Sequence, residues 1–294
     1  MHLGNVFTAV LSWLAAKSTG GRWVLRIEDL DPQRSRLEHA RQIEDDLRWL
    51  GLEWDEGGLG GAGTSGPYSQ SLRGDIYEAF LDKLRQTGYT YPCFCTRADI
   101  MATQAPHQSD GRVVYAGTCR PSSFPSGCVP QRPHATRIYV PDEEIVYSDV
   151  VFGPQSVNLA RECGDFILRR ADGAWAYQLA VVVDDALMGV RQVVRGADLL
   201  LSAAQQIYLY RMLGLEPPSF AHLPLVCNAE GRRLSKRDAA LGMAELRAAN
   251  SPEELLGRIA AMAGLIPEAR AISLGELLSE FSWSKIHRLP TLKA

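Results

Sequence analysis

Apolar residues recur at helical spacing just inside the first residues, with Val6, Val10, Trp13 and Leu14 on one face and Gly20-Gly21 as the stop. The run RWVLRIED then reads as a buried strand that ends in carboxylates. The stretch DPQRSRLEHARQIEDDLRWLG predicts a helix capped at Asp31-Pro32 and stopped at Gly51. SLRGDIYEAFLDKLRQTG predicts another helix, and YTYPCFC an extended segment. Further on, DFILRRADGAWAY predicts a strand, a turn at Ala171-Asp172-Gly173 and a return. LAVVVDDALMGVRQVVRGADLL predicts a buried strand, a loop and a second strand. SAAQQIYLYRMLG predicts a helix, and HLPLVCNAEGRRLSK a strand followed by a turn and a basic tail. From about Asp238 onward the pattern is helical, clearest in SPEELLGRIAAMAGLI and SLGELLSEFSWSKI. Alternating strands and helices imply an α/β fold around a mostly parallel sheet.

The chain has 294 residues, room for one large domain or two. It has no apolar run long enough to cross a bilayer and no signal peptide, which predicts a cytoplasmic protein. A net charge of −3 argues against a broad basic surface for nucleic acid, though not against a local patch. The six cysteines are Cys93, Cys95, Cys119, Cys128, Cys163 and Cys227. In a reducing compartment a cysteine cluster more often binds metal than forms disulfides. Irregular segments (APHQSDGR and RPSSFPSGCVPQRP) surround that cluster.

Three groups of residues carry candidate chemistry. His2-Leu3-Gly4-Asn5 stands where a helix begins, and a helix N-terminus offers unpaired N–H groups to phosphate. Gly4 would let a nucleotide approach the backbone, and His2 could donate to phosphate oxygens. Arg233-Leu234-Ser235-Lys236-Arg237 follows a turn, so Lys236 could neutralise phosphate charge with Ser235 beside it. Taken singly, each also fits a plain N-terminal histidine or a solvated basic loop. Cys93-Phe94-Cys95 and Cys119 supply three thiols for a tetrahedral zinc site. Cys128, His107 and Tyr115 compete for the fourth position. The alternative is a set of buried free thiols.

HLGN near the front and RLSKR more than two hundred residues later, with an α/β pattern between, resemble the HIGH and KMSKS signatures of class I aminoacyl-tRNA synthetases. GGRWVLRIEDLDP, AYQLAVVVDD, VVRGADLL and HLPLVCNAEGRRLSK are similar to blocks of the glutamyl branch, and above all of its short glutamyl-Q family. The resemblance implies that His2 and Lys236 are catalytic, and that His2, Gly4, Asn5, Ser235 and Lys236 bind ATP with Mg²⁺. It implies that Glu28, Tyr177 and Arg195 hold L-glutamate, where the residues alone would read as strand-end ion pairs and a core ring. Asp184-Asp185 reads as loop support at a strand end. The Cys-x-Cys…Tyr-x3-Cys spacing is that of the glutamyl-Q family, which implies one zinc ion on Cys93, Cys95, Tyr115 and Cys119. Glutamyl-tRNA synthetases that carry zinc tend to have a His two places after the third Cys, and here that place is Pro121.

The expectation is therefore an α/β class I synthetase with a Rossmann-like parallel sheet. Residues 1–237 would form the catalytic domain with a zinc-bearing insert at about 91–135, and 238–294 a small helical C-terminal region without a full anticodon-binding domain. In this family a strand and a glutamate-binding loop precede the His-x-Gly motif, so the first strand is expected to lie upstream of Met1, in about twenty further residues. The implied activity is tRNA-independent activation of glutamate with ATP, then transfer to queuosine at the wobble position of tRNA(Asp), by a monomer. Its rivals are a glutamyl-tRNA synthetase core charging the tRNA 3′ end and a truncated, non-catalytic tRNA-binding relative.

Overall fold

The computed structural model describes residues 1–31, 34–102, 114–121, 132–228 and 242–293. Helix α1 (Leu3–Ser18) opens the chain and buries Leu3, Val6, Phe7, Val10, Leu11 and Leu14, an i, i+3, i+4 stripe at 0–1% exposure. Asn5 Oδ1 caps it by accepting from the His2 backbone N–H at 3.2 Å. Strand β1 (Val24–Leu25) pairs in parallel with β2 (Glu56–Gly57), and Ile27 extends the alignment through a bridge to Ser69. The expected strand RWVLRIED is thus short, with Glu28 just past its end.

Helix α2 (Leu37–Trp49) starts later than Asp31-Pro32. The Asp31 carbonyl accepts from both Arg34 and Ser35, closing a separate turn, and Arg36 is then extended at φ −107°. After a 3-10 turn (Gln70–Leu72) comes α3 (Gly74–Gln86). Strand β3 (Thr90–Cys93), the short α4 (Arg97–Ala102) and β4 (Ala135–Ile138) follow. Next are β5 (Glu144–Asp149), β6 (Gly153–Asn158), the single-turn α5 (Leu159–Glu162) and β7 (Phe166–Arg169).

The segment expected as a buried strand at LAVVVDD lies in a helix, α6 (Tyr177–Leu187). Residues Leu179 to Asp185 are all buried, so no polar face marks the helical period. Asp184 and Asp185 accordingly lie within a helix, not at a strand end. The next strand is where expected: β8 (Gln192–Gly196), then α7 (Leu200–Leu213), β9 (Ser219–Leu223) and β10 (Leu225–Cys227). The helical C-terminal part contains α8 (Met243–Ala249), α9 (Pro252–Ala263) and α10 (Leu274–Glu280), with β11 (Thr291–Lys293) after it. Ser251/Glu254 and Ser273/Glu276 form capping boxes on α9 and α10.

The largest sheet has the order β6-β5-β9-β8. β8 and β5 both run parallel to β9, and β6 is antiparallel at the edge. β8, α7 and β9 form a crossover unit. β10 and β11 pair in parallel, and β3-β4-β7 form a separate antiparallel sheet that carries Cys93. One hydrophobic core joins α1 to α9 and α10, so the C-terminal helices pack directly on the first helix. A second core lies among α3, α6 and α7.

Candidate active site

A cleft of about 610 Å³ opens where the N-terminus of α1, the end of β1, the start of α6, the length of β8 and the start of β10 converge. His2, Gly4, Asn5, Glu28, Tyr177 and Arg195 all line it. Residues that the sequence assigned to ATP and to glutamate therefore border one cavity. Ser235 and Lys236 lie outside the described residues. Gly242, the first described residue after them, bridges to His2.

At Gly4 a side chain would meet the His2 ring closely. A Cβ there would stand 3.2 Å from the His2 Cε1 and 3.3 Å from Nδ1, because the imidazole folds over the first turn. Asn5 spends its side-chain oxygen on the helix cap. Glu28 is half-exposed and accepts from Arg26 at 3.0 Å. Tyr177 is the first residue of α6 and stands 36% exposed. Burial, then the Glu28 charge, raises its hydroxyl pKa, so it enters the cleft as a neutral donor and acceptor.

Beneath these groups lie two buried polar clusters. Asp184 accepts from Arg73 Nε at 2.6 Å, Gln70 at 2.8 Å and Tyr77 at 2.8 Å, and Asp185 pairs with Arg26 at 2.6 Å. These aspartates fix Arg26 under Glu28. On the other side Arg195 donates to His222 Nε2 at 3.1 Å and to Gln206 at 2.8 Å. Gln206 donates to Gln178, the neighbour of Tyr177, at 2.8 Å. Arg195 is thereby tied to α6 at the residue next to Tyr177.

A separate cluster lies at the end of β3. The Cys93, Cys95 and Cys119 sulfurs are all within 4.8 Å of one another, with 3.5 Å between Cys95 and Cys119. The Tyr115 hydroxyl is 3.5 Å from Cys93 Sγ and 4.0 Å from Cys95 Sγ. A tetrahedral ion with three thiolates and one oxygen requires S···S near about 3.8 Å and S···O near about 3.5 Å, so these four side chains fit a metal. The Cys119 amide donates to the Tyr115 oxygen at 2.8 Å, which favours its acceptor role. Burial, then the Cys119 and Cys93 sulfurs, push the Cys95 thiol up to about 11, a cost that a bound cation would reverse. Arg120, beside Cys119, is clamped on Asp165 by bonds of 2.8 and 2.7 Å. Cys128 and His107 lie outside the described residues.

The family model described as tRNA synthetases class I (E and Q), catalytic domain, matches residues 1–285. The chain belongs to this family of class I synthetases. The family places it among ligase-type enzymes. It is 47% identical to a glutamyl-Q tRNA(Asp) synthetase of Symbiobacterium thermophilum, over 99% of this chain and 91% of that one. It is 41% identical to glutamate–tRNA ligase 2 of Alkalilimnicola ehrlichii, over 99% of this chain but 62% of that one. Among solved structures, the glutamate–tRNA synthetase of Elizabethkingia anophelis superposes with a TM-score of 0.83 at 30% identity, over 100% of this chain and 65% of that one. Among the described residues no helix is long and apolar enough to cross a membrane.

In this class I synthetase the sequence reading missed the residues that hold the site from behind. Arg26, Arg73, Asp149 and His222 are ordinary residue types with partners far along the chain. His222 and Asp149 are 73 positions apart. The one available signal was the charge of Asp184-Asp185 inside an otherwise apolar run, which implies buried cationic partners.

Proposed function

We propose that the chain activates glutamate with ATP, without needing tRNA, and transfers it to queuosine at the wobble position of tRNA(Asp); the name of its 47%-identical relatives, glutamyl-Q tRNA(Asp) synthetase, supports this reading. The observation that carries this reading is the single cleft bordered by the α1 N-terminus and by Glu28, Tyr177 and Arg195. A glutamate α-carboxylate oxygen attacks the α-phosphorus of ATP, pyrophosphate leaves, and glutamyl-adenylate forms. A queuosine hydroxyl then attacks the acyl carbon, and AMP leaves. Glu28 holds the substrate ammonium, Arg195 pairs with a carboxylate and Tyr177 adds a hydroxyl contact. His2 and Lys236 stabilise charge on the phosphates, with Gly4, Asn5 and Ser235 beside the nucleotide and Mg²⁺ accompanying it. Most of the acceleration is positioning and electrostatics.

Cys93, Cys95, Tyr115 and Cys119 would hold zinc, whose contribution is to brace the β3–β4–β7 region. The catalytic part is residues 1–237 with its metal-bearing insert, and 238–294 forms the helical C-terminal region.

The test is glutamate-dependent pyrophosphate exchange without tRNA, followed by glutamate transfer to tRNA(Asp) with and without queuosine. Exchange without tRNA and transfer only to the queuosine form are expected. The 41%-identical ligase favours a second reading, charging of a tRNA 3′ end. Equal charging of queuosine-free tRNA(Asp), or preference for tRNA(Glu), would establish it instead.

A further inference from the structure

Arg195 is 8% exposed and lies on β8 with its side chain against the cleft. A guanidinium has five N–H donors and no acceptor. One donor goes to His222 Nε2 at 3.1 Å, one to Gln206 Oε1 at 2.8 Å and one to the Leu199 carbonyl at 3.4 Å. The Phe220 ring lies 5.0 Å from the guanidinium carbon. None of these groups is an anion, and Arg195 makes no ion pair among the described residues. The carboxylate tied to it, Asp149, stands one imidazole away, 2.7 Å from His222 Nδ1.

This order of groups fixes a tautomer. Arg195 Nε–H can only donate, so His222 Nε2 accepts and the ring proton sits on Nδ1, directed at Asp149. His222 is 0% exposed and Asp149 2%, so water does not compete. Asp149 is held in turn by the Val151, Phe152 and His222 amides at 3.0, 2.9 and 3.1 Å. A carboxylate placed directly on Arg195 would orient it but also neutralise it. A neutral imidazole orients it and leaves its charge for a ligand.

We propose that His222 and Asp149 are positioning residues: they aim the remaining N–H groups of Arg195 into the cleft with its charge unneutralised, so that the site selects a carboxylate over the corresponding amide. The proposal rests on the reading of Arg195 as a glutamate contact. It concerns how glutamate is told from glutamine, which differs only in replacing the side-chain carboxylate by a neutral amide.

Two measurements test it. In ¹⁵N-histidine-labelled protein near neutral pH, His222 should be the neutral Nδ1–H tautomer. An Nε2–H tautomer overturns the proposal whatever the activity. In tRNA-free exchange, Asp149→Asn and His222→Phe should raise the glutamate KM about 10- to 100-fold and lower the preference over glutamine similarly, with the ATP KM within about twofold. His222→Gln, which keeps an acceptor, should recover part of the loss. An unchanged glutamate KM in these variants, or a joint rise of both KM values, overturns the proposal, the second because it marks general damage to the fold. Should His222→Phe fail to fold, the His222→Gln kinetics and the tautomer still decide. Wild-type protein without glutamate-dependent exchange would sink the reading of the cleft itself, an outcome distinct from active wild type with unaffected variants.

Discussion

Arg73 and Arg195 are both buried within one catalytic domain, yet their surroundings differ in kind. Arg73, 1% exposed, bonds directly to Asp184, and the same carboxylate takes Gln70 and Tyr77. Its charge is balanced inside the fold. Among the described residues Arg195 meets only neutral acceptors, and its carboxylate lies behind His222. A buried charge without a direct counter-ion is costly, so a fold keeps one where a ligand supplies the balance. The first arrangement is architecture, and the second is what the proposed reading of Arg195 as a receptor for a carboxylate requires. The three thiols at the end of β3 follow the receptor logic with opposite sign, since their close packing favours a cation.

The comparison is broken or sharpened first at the thiols, where the effect is largest. Cys119→Ser should drop bound zinc from one per chain to near none and loosen the β3–β4–β7 region, seen by metal analysis and hydrogen exchange. Tyr115→Phe should weaken retention against a chelator, while Cys128→Ser leaves it unchanged. Freshly purified, reduced wild type without zinc would remove the cluster from the receptor class. Loss of metal in Cys128→Ser alongside retention in Tyr115→Phe would instead show that Cys128, not Tyr115, is the fourth ligand.

The two arginines come next. Asp184→Ala strands Arg73 as an uncompensated buried charge, and urea unfolding should show a loss of about 3–5 kcal/mol. A loss below about 1 kcal/mol, the range of an ordinary surface change, would show that the Arg73 cluster is not structural. Arg195→Ala should do the reverse. Stability should move by less than Asp184→Ala moves it, while the glutamate KM in exchange rises by about 2–5 kcal/mol in equivalent terms, roughly 30-fold to several thousand-fold. ATP binding should survive. Lysine should not substitute, because a point charge cannot reproduce the planar fork. Unchanged glutamate dependence would make Arg195 a structural residue and erase the contrast.

Legibility in the sequence followed the same divide. α1, α3 and α7 were readable because apolar stripes or glycine stops mark them. α6 was not, because both its faces are buried and a fully apolar run carries no period. The start of α2 was misplaced because Asp31 caps a turn of its own before the helix. Glu28, Tyr177 and Arg195 were singled out through family-like blocks, and all three line one cleft. The residues behind them, Asp149, His222, Asp184 and Arg73, gave no motif, since their meaning arises only from contacts between distant segments. Tyr115 is similar: a tyrosine four places before a cysteine says little until its hydroxyl stands beside two sulfurs.

The smallest effect, and the finest probe of the divide, is Gly4→Ala. Within a helix alanine is favoured over glycine by up to about 1 kcal/mol, so the change should help the fold. Against this, the new methyl would sit 3.2 Å from the His2 ring and 3.7 Å from Val226 Cβ, and the imidazole must yield by a few tenths of an ångström. The two terms oppose and are of similar size, so stability should stay within about 1 kcal/mol of wild type. Nucleotide binding has no such compensation, because the methyl both shifts His2 and stands where phosphate would approach the helix N-terminus. The ATP KM should therefore rise about three- to tenfold, under roughly 1.5 kcal/mol, while the glutamate KM at saturating ATP holds. Thermal unfolding and exchange kinetics on one preparation decide it. A drop in stability with no change in the ATP KM would make Gly4 a packing residue, and the first turn of α1 would then belong with Arg73 on the architectural side.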